Sequence, residues 1–316
     1  MTTTTSSLPP PVQQKFDMKL LARPMQKNIH SFFAMKKTME SNVGDTLRMR
    51  RYSNLAEFPV PLGPNFLNPP TQVLNSVDID SKVEYYATSV LITKQVTLIN
   101  EDPVLNETVS LLGQSLRETE DTLVKTMLQS TASILNCTGG GNGDNPTNIS
   151  RVDVENVVQS LMTANADYIT DQIDAEDRFG TSPINDAYFA MGSTRLLPNL
   201  RQVDGWVDKN AYGTPGKYMP SEVGAVSNMR VVLSSGGSVD SGASILGADV
   251  YDLFVTGQQS YVTVDQNGFT AKFMYVPPMP SSADPAGLRQ YSSARFAFAS
   301  VISNDAWVIN LRSTLS

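Results

Sequence analysis

The chain has 316 residues, enough for one large domain or two ordinary ones with a sizeable core. Its net charge is −7, with 17% charged and 41% hydrophobic residues, which excludes compositional disorder and argues against a dedicated nucleic-acid binder. One cysteine, Cys137, and one histidine, His30, exclude an intramolecular disulfide, a Cys/His zinc centre and any two-histidine metal site.

The first eleven residues, MTTTTSSLPPP, have neither the basic segment nor the apolar stretch of a signal peptide and predict a flexible arm. No apolar run approaches the roughly 18 residues of a membrane span. A soluble chain made in a cytoplasm, without a membrane partner, is therefore expected. Val12, Phe16 and Leu20 fall at helical spacing, and Pro24 should interrupt that helix. Met25, Ile29, Phe32 and Phe33 predict a second short helix.

Leu47 and Met49 then alternate with Arg48 and Arg50, a strand pattern. Five prolines follow within 59–70. Alternation returns at 77–85, where Val77, Ile79, Val83 and Tyr85 interleave with Asp78, Asp80, Lys82 and Glu84. The apolar frame slips near Thr88 and Ser89, which predicts a bulge. The whole reads as a long two-stranded excursion with a proline-rich tip, marginal on its own and in need of a surface to lie on. Arg48 and Arg50 share one strand face, and Asp78, Asp80 and Glu84 share one face of the returning strand. Antiparallel pairing would set them opposite each other as cross-strand ion pairs. With Lys36, Lys37 and Arg51, the two arginines form the strongest basic cluster of the chain. A structural role for it is better supported than nucleic-acid binding.

Asp102-Pro103 opens a different pattern, an N-cap followed by a first-turn proline. Leu105, Val109, Leu112, Leu116, Leu123, Met127 and Ile134 recur in steps of three and four, with gaps. They predict one amphipathic helix of about 30 residues, or about 45 Å. The loop 137–148 (CTGGGNGDNPTN) ends it. Ser150 and Asp153 open a further helix with Val154, Val157, Val158, Leu161 and Met162 on its face. From about residue 184 onward, short strands are predicted around Tyr188–Met191, Met229–Leu233, Tyr251–Val255, Tyr261–Val264, Phe269–Val276, Ala294–Ile302 and Trp307–Leu311.

Candidate chemistry is sparse. The Gly-rich loop at 139–143 lacks the Gly-Lys-Ser/Thr ending of a phosphate loop and reads as a surface loop. Asp171, Asp174, Glu176 and Asp177 lack the glycine and terminal glutamate of a calcium loop and read as a solvated face. Glu118, Glu120 and Asp121 fall mostly off the apolar stripe of the long helix and are expected on a solvated or subunit-facing surface. His30 and Cys137 are assigned packing roles rather than a thiol–imidazole pair. No catalytic, cofactor or metal site is predicted. A flexible arm, an unsupported hairpin and a very long helix are parts that subunits would have to complete for one another.

The order of these parts resembles the major capsid proteins of tailed bacteriophages with the Hong Kong 97-like fold, most closely the coliphage N-four branch. The residues that carry it are spread along the chain. They begin with Phe16-Asp17-Met18-Lys19-Leu20-Leu21, Gly44-Asp45-Thr46-Leu47-Arg48-Met49-Arg50-Arg51 and Pro61-Leu62-Gly63. The helix after Asp102-Pro103 follows. Ser221-Glu222-Val223-Gly224, Asp284-Pro285-Ala286-Gly287, Ala294–Ser300 and Asn304-Asp305-Ala306-Trp307-Val308-Ile309 complete the series. The resemblance implies an α+β fold. Its parts would be an N-terminal arm (1–44), an extended hairpin or E-loop (45–100), a peripheral domain with the spine helix (101–175 and 255–316) and an axial domain (176–254). It further implies hexamers and pentamers in an icosahedral shell that encloses DNA. A separate scaffolding protein, a cement protein and a portal would be partners, and the location would be the virion. The subunit contacts expected on this basis are Arg48, Arg50, Arg51, Asp78, Asp80 and Glu84. A decoration protein or head–tail connector is the alternative. A soluble enzyme using carboxylates is a third class.

Overall fold

The structure, a computed structural model, describes residues 25–41, 44–57, 71–99, 104–131, 133–138, 146–169, 187–211, 219, 221–244, 247–269, 271–280 and 284–315. The arm helix around Phe16, the Asp102-Pro103 cap, the proline-rich tip, the Gly-rich loop and the acidic run 171–177 lie outside the described residues. In chain order the elements are β1 (Met35–Met39), β2 (Thr46–Tyr52), β3 (Ser76–Lys82), β4 (Glu84–Thr93), α1 (Lys94–Ile99), α2 (Val104–Gln129), β5 (Ile134–Asn136) and α3 (Arg151–Thr163). Then come β6 (Tyr188–Ser193), α4 (Leu197–Leu200), β7 (Trp206–Asp208), β8 (Glu222–Val226), β9 (Met229–Ser234), β10 (Val239–Asp240), β11 (Val250–Thr256), β12 (Tyr261–Gln266), β13 (Lys272–Val276), β14 (Arg289–Ile302) and β15 (Val308–Thr314).

Two sheets and one hairpin organise these strands. The larger sheet has eight strands in the order β5-β15-β11-β6-β9-β8-β7, with β10 also on β11. Its central strands β6, β9 and β11 are buried at every position, as strands covered on both faces must be. On one face Val154, Val157 and Leu161 of α3 and Leu200 of α4 meet Tyr188, Val231, Leu253 and Ile309. On the other, Val124 and Leu128 of α2 join Ile29, Phe33, Phe189, Phe254 and Val308. This sheet draws β5 and β15 from the segments 101–175 and 255–316, and its remaining strands from 188–256.

The second sheet has five strands. β14 pairs with β4 along one edge and with β13 and then β12 along the other, and β1 joins β12 in parallel. Side chains of a strand alternate between faces. Ala294, Phe296 and Phe298 therefore lie together and pack on Leu112 and Leu116 of α2. The helix thus serves both sheets. Its far end is pinned by Gln129, whose Nε2 donates to Ser238 Oγ at 2.7 Å, while buried Asp252 accepts from Asn310 at 3.1 Å and Arg312 at 3.3 Å.

Several expectations are corrected. The long helix ends at Gln129, short of Ile134. There Thr131 Oγ1 and Ser133 Oγ donate to Asp305, at 2.8 and 3.0 Å, and draw the chain into β5 beside β15. The buried stripe of α2 is also offset from the predicted one. Val124 and Leu128 are fully buried, while Val109 is exposed. No helix forms at 25–33, because Ile29, His30 and Phe33 insert into the core from a turn that leads into β1. The predicted bulge at Thr88–Ser89 is absent, and β4 keeps one register on β14 from Glu84 to Thr93. The break lies at Val83 instead, where the chain leaves β3 and crosses to β14.

The α3 start follows the expectation, except that Met162 is exposed. Ser150 and Asp153 form a reciprocal capping box, and buried Asp153 also accepts the backbone and hydroxyl of Thr138 at 3.0 and 2.8 Å. Ser150→Ala should lower stability by about 1 kcal/mol. Asp153→Ala should cost about 2–3 kcal/mol, because it strands the Thr138 donors as well. Urea unfolding of the two variants measures the ordering.

Candidate subunit interface

The hairpin of β2 and β3 has two chemically distinct faces. Its register places Arg48 opposite Asp80 and Arg50 opposite Asp78. Each arginine grips its aspartate with two hydrogen bonds, at 2.7 and 2.8 Å for Arg48 and at 2.7 and 3.0 Å for Arg50. The hydrogen bonds from the guanidinium groups hold both aspartates below the ordinary carboxylate range. The pairs are exposed and therefore screened, so they fix register more than they add stability. The opposite face carries Leu47 and Met49, which pack on Val83 at the break and on Met39, Val264 and Ala299 of the five-stranded sheet.

Beyond Met49 the cover from the described residues falls away. Val77 is exposed, and past it Val73 and Leu74 are 80% and 67% accessible. The legs nevertheless stay together. Ala56 N donates to Gln72 Oε1 at 2.8 Å, and Gln72 Nε2 donates to Ala56 O at 2.7 Å. This is an ordered, half-supported projection with unsatisfied apolar surface.

The remaining basic and acidic residues are distributed differently from the sequence expectation. Arg51 sits on the other hairpin face, with Nη1 3.4 Å from Ser303 O. Glu84 does not face Arg48. It begins β4, beyond the break at Val83, and accepts from the Tyr86 hydroxyl at 2.8 Å; burial first, and then this bond, push that phenol up to about 12. Lys36 and Lys37 lie in β1, so the basic cluster is divided between two sheets. Lys36 and its neighbour Asp265 act electrostatically on Glu120 of α2.

Asp121 is the residue that sequence reasoning misplaced. It is 1% exposed, and His30 is fully buried beside it. Asp121 Oδ1 accepts the backbone N–H of Ile29 at 3.1 Å and of His30 at 2.9 Å, and its Oδ2 lies 2.8 Å from His30 Nδ1. The Tyr261 hydroxyl donates to the His30 carbonyl. Val124 and Leu128, three and seven residues further on, were the available signal. His30 is not paired with Cys137, which is sealed between β15 and α3, where burial and Asp153 push its thiol up.

A second open surface lies on the five-stranded sheet, on the face away from α2. Leu91, Tyr291 and Val276 form one cross-strand row, and all three are exposed. Next to it a groove of about 450 Å³ is lined by Tyr85, Ala87, Phe269, Met274, Ser293 and Arg295. The Arg295 guanidinium stacks 4.4 Å from the Phe269 ring centroid. No helix among the described residues is long and apolar enough to cross a membrane.

No family model matches the sequence, and no curated relative matches it. Solved structures do. The chain is similar to one in the capsid of Ralstonia phage GP4, at 16% identity and a TM-score of 0.72, over 100% of this chain and 99% of that one. It is similar to one in the head of Helicobacter pylori bacteriophage KHP40, at 11% identity and 0.68, over 99% and 97%. A chain of the cyanophage Pam1 capsid asymmetric unit gives 12% identity and 0.63, over 99% and 98%. The protein therefore has the mixed α/β fold of these chains, with few helices and many strands, along its whole length.

Glu120 and Asp265 are both held above their ordinary values, by burial first and, for Glu120, next by the Asp265 charge. The folded chain then binds more protons than the unfolded one just above the ordinary carboxylate range, so this contribution to stability falls as pH rises. Asp78 and Asp80 carry the opposite sign, and their contribution fades as pH falls through their depressed values. Urea midpoints should decline as pH rises above the ordinary carboxylate range, about 4, and Glu120→Gln should flatten the slope.

Proposed function

We propose that this chain is the major capsid protein of a tailed bacteriophage, a self-assembling subunit of the shell that encloses the genome. The observation that carries the reading is the match of fold over nearly the whole length of both chains to proteins of phage capsids and heads. A decoration or connector protein would not need the projecting hairpin.

The finer parts of the reading belong to the same proposal. They are the Hong Kong 97-like fold, the coliphage N-four branch and a non-enzymatic role. The arm would be 1–44, the E-loop 45–100, the peripheral domain 101–175 with 255–316, and the axial domain 176–254. Residues 29–39, tied by Asp121 and β1, would then be the part of the arm that is anchored on the body. Hexamers and pentamers would form with a separate scaffolding protein, and a cement protein and a portal would join them in the virion. DNA would be contained without sequence-specific contacts, in keeping with the net charge of −7.

Within the shell the hairpin would lie across a neighbouring subunit. Its apolar residues Val73, Leu74 and Val77 would be covered there. Arg48, Arg50, Arg51, Asp78 and Asp80 would hold its shape and line the contact, with Glu84 at its root. Repetition by symmetry would sum many weak contacts.

The test replaces residues 53–75 with a short Gly-Ser turn. The variant should fold, because β2 and β3 keep their pairing, and should no longer form shells, tubes or hexamer sheets in negative-stain microscopy. The intact chain, supplied with the scaffolding protein, should form them. Monomers of the intact chain under every condition would overturn the proposal, as would rings alone.

A further inference from the structure

The open face of the five-stranded sheet has a charge pattern that its burial does not explain. Register places Lys272 of β13 directly opposite Arg295 of β14, and both lie on the face away from α2. Like charges set opposite each other on one sheet face are destabilising. Arg289 lies on that same face at the end of β14. The positions of β4, β13 and β14 on this face carry three cations and no aspartate or glutamate, in a chain of net charge −7. Arg295 Nε is buried and has no hydrogen-bond partner among the described residues, although burying an unpaired donor is costly.

The backbone beside this face is open too. Among the described residues β13 pairs only with β14, and its far edge pairs with no strand. Four of its five residues are exposed, Phe273, Tyr275 and Val276 among them. A free edge with exposed apolar residues is a template for an added strand.

We infer that this edge and face form a docking site for an extended acidic segment of a partner protein, added as a strand to β13. The partner's backbone would satisfy the β13 edge. Its alternate side chains would lie over the cationic face, with a carboxylate at Lys272 and Arg295 and apolar residues beside Met274 and Val276. Charge complementarity selects an acidic occupant. The unpaired strand edge selects polypeptide over nucleic acid. The inference rests on register and charge and goes beyond the capsid reading, since assembly and peptide docking can fail separately.

The probe is the synthetic peptide acetyl-Glu-Thr-Val-Thr-Val-Thr-Glu-amide, which presents the pattern in either strand direction. With the full-length chain it should bind in fluorescence anisotropy and slow hydrogen exchange of the 272–276 amides. Lys272→Glu, at an exposed position, should weaken it about tenfold and should not lower the thermal midpoint, because it replaces the repulsion from Arg295 by an attraction. Arg295→Met should weaken it as well and keep the packing on Phe269. The same peptide with lysine in place of glutamate should not bind. Equal binding of the lysine peptide, or binding without protection of 272–276, overturns the inference. So does a single-stranded oligonucleotide that binds this face and displaces the peptide, or a self-association that Lys272→Glu abolishes in place of peptide binding.

Discussion

A carboxylate buried in an apolar seam must be met by donors, and Asp121 imposes that demand on the middle of α2. The turn at Ile29 and His30 supplies the donors: two backbone N–H groups, and the imidazole beside them. Much else follows from this one satisfaction. It draws residues 29–34 under the helix and lets Phe33 stack on Phe189, with centroids 4.4 Å apart. It directs the chain into β1, which pairs with β12. Tyr261 then closes the arrangement through the His30 carbonyl. The helix that joins both sheets is thereby joined to the turn at residues 29–34.

The hairpin shows a different economy. Alternation puts its charges on one face and its apolar residues on the other, and among the described residues only the root of the apolar face is covered. A projection of this kind keeps its register through exposed ion pairs, which are weak but specific. It leaves its apolar surface for something outside. The open face of the five-stranded sheet is incomplete in another way: among the described residues its cations face no acid on their own strands, and the far edge of β13 pairs with no strand.

The sequence made some of this legible. The period of two at Leu47–Arg50 and Val77–Glu84 carried the charge pattern straight into the observed register, because strand faces follow from sequence parity alone. The Ser150 cap was local and therefore readable. The long helix was readable in kind but not in phase. Leu123 and Met127 competed with Val124 and Leu128 for the stripe, and only packing decides between them. Asp121 was illegible because its donors come from about 90 residues away. Lys272, Arg295 and Leu91 come together only through a register between distant strands. The strands β5, β7 and β10 are two or three residues long, too short for any period to show.

The Tyr261 hydroxyl and the His30 carbonyl are 231 residues apart in sequence, and β1 has no strand to pair with until β12 exists. During synthesis the chain as far as the end of α2 leaves the ribosome with its closing partners still untranslated. Its hairpin and the apolar stripe of α2 stay uncovered until the C-terminal strands emerge. Closing so long a loop is slow. The intact fold, and any surface that depends on it, is therefore a late event in the life of the polypeptide. That timing withholds the contacts of a completed subunit from the nascent chain.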